Sequence, residues 1–296
     1  MDSRLSVFLQ RAEHVLARIE PLLPVQRADI DWQQTLAARW HREGRGGYLQ
    51  PLQISLDLGL ADLIGVDQQR EQLARNTAQF VRGLPANHAL LWGARGTGKS
   101  SLVRALLSEH AASGLRLIEI ERDQLADLPR LVELLVRLPQ RFVLFCDDLS
   151  FEAGEGDYRV LKSVLDGSLE RAPENVLLYA TSNRRHLLPE RESDNQNWQR
   201  VDGELHPNEA VEDKIALSDR FGLWLSFYPF TQEHFLQVVR HWVAVQAGVA
   251  ALDWQWSEEL EKAAIRWALG RGNRNGRCAY QFARHWVGLR LLERQR

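Results

Sequence analysis

The residues Gly93-x-x-x-x-Gly98-Lys99-Ser100 set two glycines, a lysine and a hydroxyl at the spacing of a phosphate-binding loop. Ala94, Arg95, Gly96 and Thr97 fill the loop, and Ser101 continues it into a stretch of helical spacing that runs to His110. Glycines let consecutive backbone N–H groups curl around a β-phosphate, and the N-terminus of the following helix adds its positive dipole end. Lys99 can reach the β- and γ-phosphates, and the Ser100 hydroxyl can ligate Mg²⁺. An apolar run, Leu90–Leu91–Trp92, precedes the loop and reads as a buried strand. Strand, loop and helix together predict a nucleotide-binding protein.

Further polar groups stand where such a loop needs them. Arg141 to Cys146 is a hydrophobic strand ending in Asp147–Asp148. In a parallel sheet that end is the ligand edge, so Asp147 is expected beside Ser100 around Mg²⁺, directly or through a water. Asp148 can orient or deprotonate the attacking water. The next strand ends Tyr179–Ala180–Thr181–Ser182–Asn183. If it neighbours the strand of the loop, Asn183 reaches the γ-phosphate or the lytic water; otherwise it is a turn-forming asparagine. Arg220 precedes a fifth strand and has no evident phosphate of its own chain to serve, whereas a subunit interface would give it one. Arg277 begins the last helix and can fold back on the nucleotide, with Arg271 and Arg274 as rivals.

Apolar runs suited to buried strands occur at 88–92, 115–120, 142–146, 176–180 and 223–227, with helical stretches at 99–111, 125–138 and 158–171. Continuous apolar strands separated by helices predict an α/β fold, a five-stranded parallel sheet covered on both faces. After Pro229 only helices are expected, at 231–246, 257–269 and 277–293. The N-terminal part reads as helices over 3–20 and 29–41, the second with Trp32, Leu36 and Trp40 on one stripe, followed by a glycine-rich loop over 42–51. The expected organisation is an N-terminal helical region (1–50), an α/β nucleotide-binding domain (51–230) and a helical lid (231–296). Residues 184–216 carry eight acidic and five basic side chains and resist assignment, as a partly helical segment or an exposed functional insertion.

With a net charge of −2 among 296 residues, global charge gives no argument for nucleic acid or an anionic membrane as partner. The two cysteines, Cys146 and Cys278, make neither a disulfide scaffold nor a metal set. Nowhere do 18 uncharged apolar residues run together, and the charged start is unlike a signal peptide, so the expected location is the cytoplasm, without a membrane partner.

Taken in order, the phosphate loop, the acid-ended strand, the strand ending in Asn183, the Asp219–Arg220–Phe221–Gly222 box and a helical lid with Gly276–Arg277 resemble the AAA+ P-loop ATPases. Leu63–Ile64–Gly65–Val66–Asp67–Gln68–Gln69 resembles the box that lines the adenine pocket in that superfamily, which brings in Ile64 and Gly65. Over most of its length the chain is similar to a bacterial family of AAA+ ATP-binding proteins, through Pro85–Ala86–Asn87, 145–152 and 180–187. Helicase loaders and replication initiators are more distantly similar. The resemblance implies ATP and Mg²⁺ as ligands. Lys99 and Ser100 fall in its Walker A motif, Asp147 and Asp148 in Walker B, and Asn183 at sensor 1. Arg220 would be an arginine finger, Arg277 sensor 2, and the assembly a homo-oligomeric ring or filament such as a hexamer.

Two departures shape the functional expectation. Walker B ends here in Asp147–Asp148 where Asp–Glu is usual, one methylene shorter, which makes Glu152 a substitute base and hydrolysis slow or dependent on assembly. After the second strand, 121–124 lacks the aromatic–glycine pair of protein-threading loops. The leading expectation is an ATP-hydrolysing remodeller of a protein client. A nucleic-acid-associated loader is the alternative, supported by nine Lys/Arg against five Asp/Glu over 241–296 but opposed by the acids of the 151–158 loop. An ATP-binding scaffold with little turnover and a small-molecule kinase are the remaining readings.

Overall fold

The computed structural model describes residues 29–44, 46–150, 173–183 and 219–295, with positions 11, 13–15, 161, 165, 199–201 and 204–206. The chain divides into a compact unit Trp32–Arg296 and a second one, Met1–Asp31, of which positions 11 and 13–15 are helical.

The larger unit is built on a sheet of seven strands: β1 (Ala37–Glu43), β2 (Gly46–Leu52), β3 (Ala89–Gly93), β4 (Leu115–Glu119), β5 (Arg141–Cys146), β6 (Val176–Ser182) and β9 (Leu223–Phe227). Their spatial order is β2-β1-β4-β5-β6-β3-β9. All neighbours are parallel except the β1–β2 hairpin. The five expected parallel strands are all present, and β1 and β2 extend the sheet to seven. A separate short pair, β7 (Gln199–Val201) and β8 (Glu204–His206), lies within the 184–216 segment, whose other residues are outside the described ones.

The additional pair corrects the reading of 29–51 as helix and loop. A spacing of four puts residues on one face in a strand as well as in a helix, so the stripe does not discriminate between them, and of Trp32, Leu36 and Trp40 only Trp40 lies in a strand. Trp40 is fully buried from the strand. Gly47 is there for room: a Cβ on it would come 2.1 Å from the Trp40 ring. Gly44, at φ +58°, turns the hairpin.

Helices α1 (Asp67–Val81), α2 (Lys99–His110) and α3 (Leu128–Leu135) accompany the sheet. Leu91, Leu102, Leu106 and Phe145 are buried in one core cluster that also takes Leu73 and Phe80 of α1. The position of β6 between β5 and β3 is fixed by buried polar contacts as well as by the ladders. The Leu178 N–H donates to His88 Nδ1 at 2.9 Å. Burial pushes the His88 imidazole down to about 4, which keeps it neutral as an acceptor. Tyr179 joins Asn76 and Thr77 of α1 through its hydroxyl at 3.0 and 2.9 Å.

Beyond β9 the chain is helical: α4 (Gln232–Val249), α5 (Glu258–Gly270) and α6 (Gly276–Arg294). Each starts on a side-chain cap, Thr231, Ser257 and Asn275. Phe235, Val239, Val243, Leu260, Ala264 and Phe282 form their shared core. The expected helix at 158–171 lies outside the described residues apart from positions 161 and 165. Among the described residues no helix is long and apolar enough to cross a membrane.

Candidate functional site

The loop 93–100 leaves β3 against the end of β9. The Ala94 N–H donates to the Phe227 carbonyl at 2.9 Å. A Cβ on Gly93, whose φ is +129°, would stand 2.0 Å from that same carbonyl oxygen, so only glycine fits there. Thr97 Oγ1 closes the loop on the Ala94 carbonyl at 2.8 Å. Gly98, at φ +103°, directs the chain into α2.

Lys99 points back through the loop. Its Nζ donates to the carbonyls of Gly93 and Ala94, both at 2.8 Å, and to Asn183 Oδ1 at 3.1 Å. Burial lowers its pKa to about 8, against the pull of the Asp147 and Asp148 carboxylates. Only 7% of Lys99 is exposed. The cation is thus held in a partly dry place and is ready for a better anionic partner.

Because β6 pairs with both β5 and β3, its C-terminal end lies between the two acids and the lysine. The condition set on Asn183 by the sequence is therefore met. Asn183 accepts from Lys99 and donates through Nδ2 to Asp148 Oδ1. Ser100 Oγ donates to Asp147 Oδ1 at 2.6 Å. The same oxygen accepts from Thr181 Oγ1, which in turn accepts the Asp148 N–H at 2.9 Å. Asp148 takes the left-handed backbone conformation, φ +55°, uncommon for a residue with a Cβ. Arg95 of the loop stands 4.0 Å from its other carboxylate oxygen.

A cavity of about 1070 Å³ opens over these groups, between the sheet edge and the helical lid. Lys99, Ser100, Ser101, Asp147, Asp148 and Asn183 line one wall, Leu63 and Ile64 another, and Trp242, Gly276, Arg277 and Tyr280 come from the lid. Gly65 contributes differently. Its φ is +75°, and a Cβ there would collide with the His234 ring at 2.0 Å. His234 Nε2 pairs with the Ile64 carbonyl at 2.8 Å and the ring stacks on Phe230, centroids 3.9 Å apart. Lid and loop also meet directly: Asn275 Nδ2 donates to the Arg95 carbonyl at 3.2 Å, and the Gly276 N–H donates to the Gly96 carbonyl at 2.8 Å.

Of the three candidate lid arginines, Arg277 lines the cavity; Arg271 and Arg274 do not. The Arg271 guanidinium instead lies 3.4 Å from the centre of the Trp267 ring. Arg220 is half-buried just ahead of β9 and does not line the cavity of its own chain. Glu152 and the 151–158 loop lie outside the described residues. Three contributors carry no motif of their own: Thr181, Asn275 and His234. Thr181 was within reach of sequence reading as a hydroxyl two residues before Asn183, while the other two act through neighbours that only the fold supplies.

The donor set suits a triphosphate with a hard divalent cation. A hydroxyl and one carboxylate, Ser100 and Asp147, are already in contact, and Mg²⁺ typically takes one or two carboxylates together with phosphate oxygens and waters. Among the described residues no group of three or more His, Cys, Asp or Glu side chains forms a metal cage of its own.

Residues 33–290 match the family profile described as "Protein of unknown function (DUF815)". No curated protein matches the sequence. Among solved structures, the chain is similar to the Aeropyrum pernix Orc1 protein in complex with DNA, at 17% identity and a TM-score of 0.54, over 80% of this chain and 65% of that one. It is also similar to a point mutant of Thermotoga maritima RuvB, at 17% identity and a TM-score of 0.51, over 77% of this chain and 64% of that one. The chain thus spans just under two thirds of each of these structures. At such identities the likeness concerns the fold.

Proposed function

The chain belongs to the DUF815 family and has the AAA+ P-loop ATPase fold, and from that premise we propose that it binds ATP with Mg²⁺ and hydrolyses it to remodel a protein client. The observation that carries this reading is one constellation. Lys99, Ser100, Asp147 and Asn183 converge on the C-terminal edge of adjacent parallel strands, under a lid whose Arg277 faces the same cavity.

In this reading the loop N–H groups and Lys99 hold the β- and γ-phosphates, and Ile64 and the lid side chains enclose the base. Ser100 and Asp147 hold Mg²⁺, which when bound neutralises charge on the phosphate oxygens. Asp148 takes the proton of the attacking water, and Asn183 presents that carboxylate while its own oxygen steadies Lys99. Asp148 is a methylene shorter than glutamate, so turnover is slow or depends on assembly, with Glu152 as the substitute base. Arg220 acts on the nucleotide of a neighbouring subunit in a homo-oligomer, a ring such as a hexamer or a filament, in the cytoplasm. The seven-stranded sheet with its helices, from β1 to β9, forms the nucleotide-binding domain, which therefore starts ahead of residue 51, and 231–296 form the lid.

A second reading, a loader or initiator acting on nucleic acid, draws on the Orc1 likeness, since that structure is a complex with DNA. The excess of Lys and Arg over 241–296 also favours it. Titration of a fluorescent ATP analogue against wild type and Lys99→Ala tests the shared part. Wild type should bind with Mg²⁺ and the variant should lose binding while keeping its fold. Equal affinity of the two would defeat the site. Salt-dependent binding of labelled DNA would move the conclusion to the second reading.

A further inference from the structure

Thr181 is nearly fully buried, 2% exposed, at the C-terminal end of β6, an interior strand of the sheet. Its hydroxyl uses both of its roles on the acidic pair next door. It donates to Asp147 Oδ1 and accepts the backbone N–H of Asp148 at 2.9 Å. Its carbonyl takes the following N–H, that of Leu149, at 2.7 Å. The turn that carries both carboxylates is therefore fastened to β6 by three hydrogen bonds from one residue. That turn includes the unfavourable φ of +55° at Asp148, which persists only where the surroundings over-determine it.

The consequence falls on Asp147. Its Oδ1 receives two hydroxyl donors, from Ser100 and from Thr181. Two such bonds fix the carboxylate plane and leave Oδ2 with no side-chain donor among the described contacts, in a residue that lines the cavity. A ligand to Mg²⁺, or to a metal-bound water, must be held in this way by partners that orient it, and loss of such a partner typically weakens metal affinity by about 10–100-fold.

We propose that Thr181 is a positioning residue for the metal-side carboxylate and for the backbone of Asp148, acting through its hydroxyl and not through its bulk. The proposal rests on the reading of the cavity as a Mg²⁺–ATP site. Thr181→Val keeps the β-branched shape that suits a buried strand and removes only the hydroxyl. Thr181→Ser keeps the hydroxyl and removes a methyl.

The experiment measures affinity for a fluorescent ATP analogue as Mg²⁺ is titrated, with and without metal, in the full chain. In Thr181→Val the Mg²⁺ concentration for half-maximal effect should rise by about tenfold, the order expected for one lost hydrogen bond to a charged group. Affinity without Mg²⁺ should stay within about twofold, since the phosphate loop is untouched; turnover, where measured, should fall in kcat and not in KM. Thr181→Ser should restore the Mg²⁺ dependence. Wild-type Mg²⁺ dependence in a folded Thr181→Val variant would overturn the proposal, as would a Thr181→Ser variant as impaired as the valine. If Thr181→Val does not fold, Thr181→Ala, which leaves space for water, is read by the same criteria. Absence of any Mg²⁺-dependent binding in wild type would instead bring down the ATP-site reading, and this proposal with it.

Discussion

Asn275 provides the sharpest test of how the lid is tied to the nucleotide loop. Its carboxamide does two separable things. Oδ1 caps α6 by accepting the Cys278 N–H at 2.9 Å, and Nδ2 donates to the Arg95 carbonyl at 3.2 Å. A serine at this position keeps a capping oxygen but is too short to reach Arg95. Thr97, Lys99 and the rest of the loop are unchanged by it. Loss of one neutral hydrogen bond costs about 1 kcal/mol, so Asn275→Ser should weaken ATP affinity by about fivefold if the closed lid is the binding form. Asn275→Ala loses the cap as well, a further cost of about 1 kcal/mol. Its affinity should fall by as much as about thirtyfold, and its melting temperature by about 2–4 °C, as a change of that size gives in a chain of this length. Asn273→Ala is the control, because among the described residues that amide reaches only the Arg271 carbonyl within the same turn, at 3.1 Å. The assay is equilibrium binding of a fluorescent ATP analogue alongside a thermal melt. Wild-type affinity in folded Asn275→Ser would refute the idea that this contact couples lid to loop.

Other outcomes follow from the same geometry. Asp148→Asn should retain ATP and slow hydrolysis by two orders of magnitude or more, about the size of a general-base contribution, in a single-turnover assay. Persisting turnover there, with loss in Glu152→Gln, would move the base to Glu152. ATP affinity should be flat below pH 8 and fall as pH rises through it, because Lys99, lowered to about 8 in the free protein, must be protonated to pair with phosphate. Nearby phosphates raise that pKa in the complex, so binding takes up a proton in this window, well above the titration of phosphate itself near about 6. Isothermal titration in two buffers of different ionisation heat would reveal the proton, and unchanged affinity to pH 9.5 would contradict it.

The phosphate loop was legible because its chemistry is local: the glycines, Lys99 and Ser100 lie within eight residues, and Gly93, Gly96 and Gly98 all take the positive φ that glycine allows. The five parallel strands were legible as well, since Leu90–Leu91 and Phe142 to Phe145 are apolar without alternation, as strands buried on both faces must be. The β1–β2 hairpin was not. Of the Trp32, Leu36 and Trp40 stripe only Trp40 lies on β1, a spacing of four is common to both regular structures, and Gly44, Gly46 and Gly47 read as loop residues although Gly47 is there for the Trp40 ring. Thr181 was legible only as part of a strand end, and Asn275 only as a residue between two expected helices. Their partners, Asp147 and the Arg95 carbonyl, are 34 and 180 residues away in sequence. The closure of the cavity by Trp242 and Tyr280 likewise depends on how the lid helices return over the sheet.

The central claim, a homo-oligomeric ATPase whose sites are completed between subunits, is tested most directly by mixing Arg220→Ala with Lys99→Ala. Arg220 lies ahead of β9 and outside the cavity of its own chain, whereas Lys99 lines that cavity. An arginine supplied in trans stabilises charge on the γ-phosphoryl group in the transition state, worth about 10³–10⁵ in rate in comparable phosphoryl transfer. Each variant alone should be nearly inactive, Arg220→Ala with ATP bound and Lys99→Ala without it. Mixed, they form junctions where an intact phosphate loop meets an intact Arg220, and ATPase activity should return in proportion to the number of such junctions. No recovery in mixtures that light scattering shows to have co-assembled would contradict the account, because Arg220 would then not act across the interface.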